Sequence, residues 1–299
     1  MTRIFVAGSK GQVALSLKGA AEAAGTEICT AGRPNFDLGN AAGMRAAITA
    51  YKPTAIINAA AYTAVDAAEE DEANATAINC GGAGALAAIA AELNIPFLHL
   101  STDYVYDGKK DGAYIETDTV GPTGAYGRSK LAGEIAVMAA NPNAMIFRTA
   151  WVYSPFGKNF CKTMLKLAQT RDELGIVADQ YGNPTYAPDI AEALLAVATK
   201  IEATGTHAEY AGIYHLAGTG CTSWHGFAEK IFSESGTHGH NVPTANAVTT
   251  ADYPTPAARP ANSQLDCSKF TETFGLTLPN WQESTATCVK RLLEDGLLG

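Results

Sequence analysis

Short apolar runs alternate with amphipathic stretches along the first half of the chain. Residues 3–8, 27–31, 54–60 and 96–101 are apolar enough for buried strands, and each is followed by a stretch whose apolar positions recur at helical spacing. A further apolar run covers residues 144–150. This alternation predicts an α/β fold, a doubly wound parallel sheet with right-handed crossovers.

The first predicted strand leads into a glycine-rich turn. Residues 8–14 have the sequence GSKGQVA, with a strand before it and a helical pattern after it. In that context glycines let the backbone approach a pyrophosphate at a helix N-terminus. A plain strand–helix turn is the alternative, but the alternating pattern that follows favours dinucleotide binding.

The end of the second predicted strand bears on the choice of cofactor. NAD-binding folds usually place an acid there for the ribose 2′-hydroxyl, whereas this chain has Gly32 and Arg33. Arg33 could face a 2′-phosphate, which favours NADP(H), with NADH possible, although a solvent-exposed arginine is the alternative. Asp37 and Leu38 follow and could border the adenine.

The composition changes after residue 150, where loops rich in Gly, Pro, Asn and Tyr separate the predicted helices. A helix over 187–201 and a strand over 212–216 are expected to return to the sheet. We therefore predict an NADP-binding Rossmann domain over residues 1–150 with about 186–217. A smaller α/β substrate-binding lobe would comprise about 151–185 and 218–299.

A hydroxyl at a strand end and a Tyr–Lys pair at a helix start suggest redox chemistry. Thr102 directly follows the strand at 96–101. Tyr126 and Lys130 are four residues apart, so these two side chains share one helix face, about 5–6 Å apart at Cβ. An ammonium beside a phenol lowers the pKa of the phenol from about 10 toward neutrality. Tyr126 could then protonate a ketone oxygen that Thr102 also binds, as hydride transfer requires. An ordinary surface pair is the alternative.

Composition and charge narrow the class of protein. The 299 residues are 47% hydrophobic and 17% charged, which is typical of globular proteins, and the net charge of −9 argues against a nucleic-acid partner. No membrane-length apolar run or signal peptide is expected, and six scattered cysteines without a CxxC motif favour reduced thiols in the cytoplasm. An anionic ligand would need local cations such as Arg259, the one cation of the Pro-rich loop at 253–263.

Together these segments resemble the extended short-chain dehydrogenase/reductase superfamily. More narrowly, the chain is similar to the branch that reduces the C4 ketone of a dTDP-linked 6-deoxy-hexulose in the synthesis of dTDP-L-rhamnose. The loop at 253–263 is the most specific of the matching segments. The similarity covers nearly the whole chain, through residues 8–13, 58–66, 101–106, 126–130, 148–153, 179–185 and 253–263.

This resemblance implies a set of site residues. The catalytic residues would be Thr102, Tyr126 and Lys130. With Gly8 and Arg33, the cofactor contacts would be Gly11, Gln12, Val13, Asp37, Leu38, Ala61, Tyr62, Thr63, Tyr126 and Lys130. The predicted substrate contacts are Thr102, Asp103, Tyr126, Trp151, Asn159 and Arg259. Mg²⁺ is implied by resemblance only, and we assign it no ligands.

We therefore predict an NADP(H)-preferring reductase of a dTDP-linked 4-keto-6-deoxy sugar, monomeric or homodimeric. Two alternatives stay open: another nucleotide-sugar reaction such as dehydration or epimerisation, and a non-catalytic NADP-binding regulatory subunit, like the β subunit of methionine adenosyltransferase, which shares this fold. Dehydratases that resemble this chain follow the strand-end Thr with Asp and Glu. Here Tyr104 follows Asp103, so the second carboxylate of an acid–base pair is missing.

Overall fold

A six-stranded parallel sheet lies at the centre of the protein, whose computed structural model describes residues 2–204 and 207–298. The strands of the described residues are β1 (Arg3–Ala7), β2 (Glu27–Ala31), β3 (Ala55–Asn58), β4 (Phe97–Thr102), β5 (Met145–Thr149), β6 (Val152–Tyr153), β7 (Glu173–Val177), β8 (Tyr181–Gly182), β9 (Thr185–Tyr186), β10 (Gly212–His215), β11 (Thr222–Ser223), β12 (Thr244–Val248) and β13 (Asn262–Ser263). The central order is β2-β1-β3-β4-β5-β10. The predicted fold class is confirmed.

The helices cover both faces of this sheet and build a second core beyond it. In the same part of the chain they are α1 (Gln12–Ala24), α2 (Ala41–Tyr51), α3 (Val65–Ala68), α4 (Glu72–Thr76), α5 (Ala83–Leu93), α6 (Ala125–Ala140), α7 (Phe160–Ala168), α8 (Ala187–Thr204), α9 (Trp224–Thr237), α10 (Ser268–Phe274) and α11 (Trp281–Glu294).

Strand β1 shows why the central strands are largely apolar. Ile4 and Val6 belong to the layer formed with α1, α8 and α10, whereas Phe5 and Ala7 belong to the layer formed with α2, α5 and α6. Successive side chains point to opposite faces of a strand. Because helices cover both faces, neither set of side chains can be polar without a buried partner.

Beyond β5 the chain forms a separate apolar core from α7, α9 and α11, while α8 and β10 return to the sheet. β10 pairs in parallel with β5, with Gly212 opposite Met145. The division into two units near residue 150 stays a prediction, and this grouping of apolar side chains supports it.

Two expectations about residues 72–93 are wrong. The helical pattern after the strand at 54–60 predicts one helix over about residues 73–93, but this helix is interrupted, because Ala77–Gly82 form a π-helical turn between α4 and α5. The second expectation was that the chain has no apolar run of membrane length, whereas Glu72–Leu93 is long and apolar enough to cross a membrane by length and composition. It packs against α2 and α6, so we interpret it as part of the core.

Candidate active site

A crevice opens where the chain order reverses. From β1 the chain adds β2 on one side and β3 on the other, and ligands of such sheets bind beyond the carboxyl ends of the strands at that point. Gly8 directly follows β1 with a φ of +118°, and a Cβ added to it would lie 3.2 Å from the carbonyl carbon and oxygen of Ala59. The turn therefore needs glycine, and α1 begins just after it, at Gln12.

The structure brings the other predicted cofactor contacts to the same edge. Arg33 is exposed just beyond β2, and residues 61–63 follow β3. Leu38 is buried against the π-helical turn, where a Cβ on Gly82 would lie 2.6 Å from the Cβ of Leu38. Asp37 is exposed, and its carboxylate accepts a hydrogen bond from the Gly39 amide (2.9 Å).

Two of the predicted ligand contacts, Gln12 and Asn159, also have hydrogen-bond partners within the chain. The Gln12 amide donates to the Val152 carbonyl (3.3 Å), and its oxygen accepts from Ser154 (2.8 Å) and Asn159 (3.0 Å). Asn159 also caps α7, because its oxygen accepts from the Lys162 amide (3.1 Å). The side chains of Gln12 and Asn159 therefore brace the glycine turn against the second core, and their ligand contacts stay predictions.

Thr102 and Tyr126 meet at the end of β4. Burial raises the pKa of Tyr126 well above its ordinary value, and a hydrogen bond with Thr102 acts in the opposite direction. The Tyr104 ring packs edge-on to Tyr126, with centroids 5.5 Å apart. The strand-end hydroxyl and this phenol are therefore neighbours, and their joint action on a substrate oxygen stays a prediction.

The hydrogen-bond partner and the electrostatic effect of Lys130 differ from the prediction. Its ammonium donates to the Leu100 carbonyl (2.8 Å), because α6 packs over β4 and the side chain reaches the strand. Burial lowers the pKa of Lys130 to about 8, while Glu134 acts in the opposite direction. The expected lowering of the Tyr126 pKa by Lys130 is wrong for this structure, in which burial dominates the phenol.

The acidic run at 69–72 anchors the helix that carries Tyr126. Glu69 accepts a hydrogen bond from the Ala125 amide (2.9 Å) at the start of α6, and Glu72 pairs with Arg128 through two 2.8 Å contacts. Carboxylates at a helix N-terminus are favourable. The acidic run therefore helps to hold the start of α6 in place.

A buried ion pair lies beneath this helix. Arg148 and Glu134 are each 2% exposed, and Arg148 donates to both carboxylate oxygens of Glu134 at 2.9 and 2.6 Å. Ser101 donates to the same carboxylate (2.5 Å), and Tyr106 accepts from Arg148 (2.7 Å). Sequence reasoning missed this network, although an arginine inside an apolar strand was a usable signal.

A cavity of about 550 Å³ adjoins the Tyr104 side of the site. Trp151 and Trp224 line it, stacked with ring centroids 3.6 Å apart. Trp151 has a φ of +47°, a conformation that a bulky residue rarely adopts. A Cβ on Gly182 would lie 2.6 Å from the Trp151 ring, so the glycine leaves the space that this indole fills.

Arg259 reaches the same cavity from the Pro-rich loop. Its Nη2 donates to Asp66 (2.8 Å), and its Nη1 is buried without a hydrogen-bond partner among the described residues. Asp103 is buried nearby at the end of β4, accepts from Thr102 (3.0 Å), and has its pKa raised to about 6 by burial. Over residues 2–204 and 207–298, no group of three or more His, Cys, Asp or Glu could hold a metal ion.

Comparisons with known proteins identify the family of the chain. A family model described as the RmlD substrate binding domain matches residues 1–294. A dTDP-4-dehydrorhamnose reductase of Sinorhizobium fredii is 49% identical over 294 residues, 98% of this chain and 99% of that protein. A reductase of the same name from Clostridium acetobutylicum has a solved structure with TM-score 0.88 and 35% identity, covering 98% of this chain and 100% of that one.

The solved structure of a third relative contains a bound cofactor. The solved dTDP-4-dehydrorhamnose reductase of Bacillus anthracis, in complex with NADP, has TM-score 0.88 and 31% identity, covering 97% of this chain and 100% of that one. The family model and these relatives span nearly the whole chain. The chain therefore belongs to the RmlD substrate binding domain family, alongside the dTDP-4-dehydrorhamnose reductases.

Proposed function

We propose that this enzyme reduces the C4 ketone of dTDP-6-deoxy-L-lyxo-4-hexulose with NADPH to give dTDP-L-rhamnose. The observation that carries the proposal is that Thr102 and Tyr126 are neighbours at the carboxyl end of β4, where the Tyr104 ring packs on Tyr126 and lines the cavity. The dTDP-4-dehydrorhamnose reductases of the same family support the choice of substrate.

The site residues have separate roles in the reduction. NADPH, when bound, supplies the hydride. Tyr126 donates its phenolic proton to the ketone oxygen as the carbonyl carbon becomes saturated, and solvent then reprotonates the phenolate. Thr102 hydrogen-bonds the same oxygen and orients it. Lys130, largely cationic at neutral pH with its pKa near 8, is the proposed contact for the nicotinamide ribose.

The residues of the crevice fit a dinucleotide. The tight approach of Gly8 to Ala59 and the start of α1 at Gln12 provide a backbone surface and amide donors for a pyrophosphate. The relative solved with NADP supports the phosphorylated cofactor. Arg33 is the proposed contact for the 2′-phosphate, because it is an exposed cation directly beyond β2.

Arg33→Asp should shift the preference from NADPH toward NADH, because an acid repels a 2′-phosphate and accepts from a 2′-hydroxyl. The measurement is kcat/KM with each cofactor for both proteins. A wild type that favours NADH would show that Arg33 does not select the cofactor.

Arg259→Ala should raise KM for the dTDP-sugar and leave the Kd for NADPH unchanged. The reason is that Nη1 of Arg259 has no hydrogen-bond partner within residues 2–204 and 207–298 and can bind a diphosphate oxygen. Arg45→Ala is the matched control, since Arg45 also pairs with a carboxylate, that of Glu92, away from the cavity. An unchanged KM, or equal loss of NADPH affinity, would contradict the assignment.

NADPH oxidation in the presence of the dTDP-4-keto-6-deoxy sugar, with dTDP-L-rhamnose identified as product, tests the proposed function itself. Failure of the wild type to turn over would favour the non-catalytic regulatory alternative. The same experiment separates reduction from epimerisation, because epimerisation consumes no NADPH.

Incubation with dTDP-glucose and NAD⁺ should give no 4-keto-6-deoxy product. Elimination of water needs a paired acid and base, and Tyr104 occupies the position after Asp103 where dehydratases have the second carboxylate. Accumulation of that product from enzyme free of contaminating dehydratase would contradict the reductase function.

The cellular location, oligomeric state and partners of the enzyme are also part of the proposal. We place it in the cytoplasm as a monomer or homodimer without a nucleic-acid or membrane partner. The support is its net charge of −9 and its six free cysteines.

A further inference from the structure

Asp66, in the short helix α3 after β3, is bonded to the Pro-rich loop at 253–263. One of its carboxylate oxygens accepts from the backbone amide of Ala257 (3.2 Å), and the other accepts from Nη2 of Arg259 (2.8 Å). These partners lie 191 and 193 positions further along the chain. A single carboxylate therefore holds this loop twice, through its backbone and through its one cation.

The far end of the loop is fixed independently of Asp66. The Asn262 amide donates to the Gly108 carbonyl (3.0 Å), and a Cβ added to Gly108 would lie 2.5 Å from the Cβ of Pro260. The backbone on one side of Arg259 is therefore held by close packing. Asp66 holds the backbone on the other side and the guanidinium itself.

The contact with Asp66 leaves part of the Arg259 guanidinium for a ligand. Its Nη2 donates to Asp66, whereas its Nη1 is buried without a hydrogen-bond partner within residues 2–204 and 207–298. A guanidinium carries five N–H donors in a planar fork, so an ion pair at one edge fixes the direction of the remaining donors. Asp66 and Arg259 line the same cavity as Tyr104.

We propose that Asp66 is a positioning residue that holds Arg259 in the orientation that binds the diphosphate of the nucleotide sugar. The inference rests on the proposed function, in which Arg259 contacts that diphosphate. A long side chain that is ordered only when its ligand arrives weakens binding by the entropy it then loses. Asp66 orders Arg259 before the substrate binds, so this loss is avoided.

The direction of the effect separates positioning from simple repulsion. Like charges repel, so removing a carboxylate beside a diphosphate site would strengthen binding if Asp66 acted only through its charge. Positioning predicts the reverse: Asp66→Ala should raise the Kd for dTDP on the order of 3- to 10-fold, the usual effect of ordering one long side chain. Asp66→Asn keeps one oxygen acceptor and should give an intermediate Kd.

A second substitution tests whether Asp66 acts through Arg259. In the Arg259→Ala background, Asp66→Ala should change the dTDP Kd by less than about twofold, because the side chain that it positions is already absent. Two residues that acted independently would instead give additive effects on the free energy of binding.

Glu27→Ala is the matched control. The Glu27 side chain is 43% exposed, against 45% for Asp66, and it pairs with Arg3 at 2.9 Å. Both members of that pair begin their strands, at the amino end of the sheet and away from the cavity. This variant removes the same charge and a similar ion pair, so its dTDP Kd should stay within about twofold of wild type.

Titration calorimetry of dTDP against the NADPH-saturated protein gives these constants without turnover, and fluorescence titration gives the Kd for NADPH. A dTDP Kd in Asp66→Ala equal to or below that of wild type would overturn the proposal. An undiminished effect in the Arg259→Ala background, or an equal loss of NADPH affinity, would do the same. If Asp66→Ala does not fold, wild-type or tighter binding by Asp66→Asn would overturn it.

The same measurements keep this inference separate from the proposed function. A wild type that binds dTDP but leaves the keto sugar unreduced would count against the reductase function alone, because the dTDP Kd reports on Asp66 without the reaction. A wild type that does not bind dTDP would contradict both.

Discussion

Replacing Tyr126 by phenylalanine is expected to lower kcat about 10²–10⁴-fold, the usual contribution of a general acid. The variant keeps the ring that packs against Tyr104 and loses the hydroxyl that meets Thr102. The Kd for NADPH should stay near that of wild type. Steady-state NADPH oxidation and fluorescence titration provide the two measurements.

Thr102 provides the comparison for this variant. Thr102→Val removes the hydrogen bond that orients the substrate but leaves the proton donor in place, so its kcat should fall less than that of Tyr126→Phe. A Tyr126→Phe protein with more than half the wild-type kcat would assign the proton to another group.

Replacing Glu134 by leucine should lower the free energy of unfolding by about 3–5 kcal/mol, because it leaves the Arg148 guanidinium charged in the core without its carboxylate. Tyr106 accepts one of the remaining hydrogen bonds, which is not enough to replace a counter-ion. Equilibrium urea unfolding of wild type and variant provides the measurement.

The double variant Glu134→Leu with Arg148→Met tests the reason for this loss. Buried pairs replaced on both sides by apolar residues often keep their stability, so the double variant should be more stable than Glu134→Leu alone. Equal destabilisation of the single and double variants would show that packing, rather than the unpaired charge, determines the effect.

The fold could be predicted largely from the sequence because its signals are local. Each central strand is an apolar run followed by a helical pattern, and the doubly wound parallel sheet follows from that alternation. The return of α8 and β10 to the sheet was also predictable, since each is apolar over most of its length. The π-helical turn was not, because the alanine-rich pattern of residues 72–93 continues through it.

The candidate site was predictable only where residue type and spacing limit the chemistry. Thr102 and Tyr126 meet as their positions at a strand end and a helix start suggest. Spacing could not reveal that Lys130 donates to Leu100, since the strand carbonyl is brought near only by the packing of α6. The same holds for Asp66, whose partners lie 191 and 193 positions away in sequence.

Gly182 and Trp151 illustrate a constraint on the evolution of this chain. The Trp151 ring occupies the space where a side chain at position 182 would begin, with 2.6 Å between the ring and an added Cβ. A larger residue at 182 must therefore displace the indole and break its stacking on Trp224. The two positions cannot drift independently: in homologues that keep a tryptophan at 151 in this pose, selection should retain glycine at 182, and loss of the tryptophan should release it.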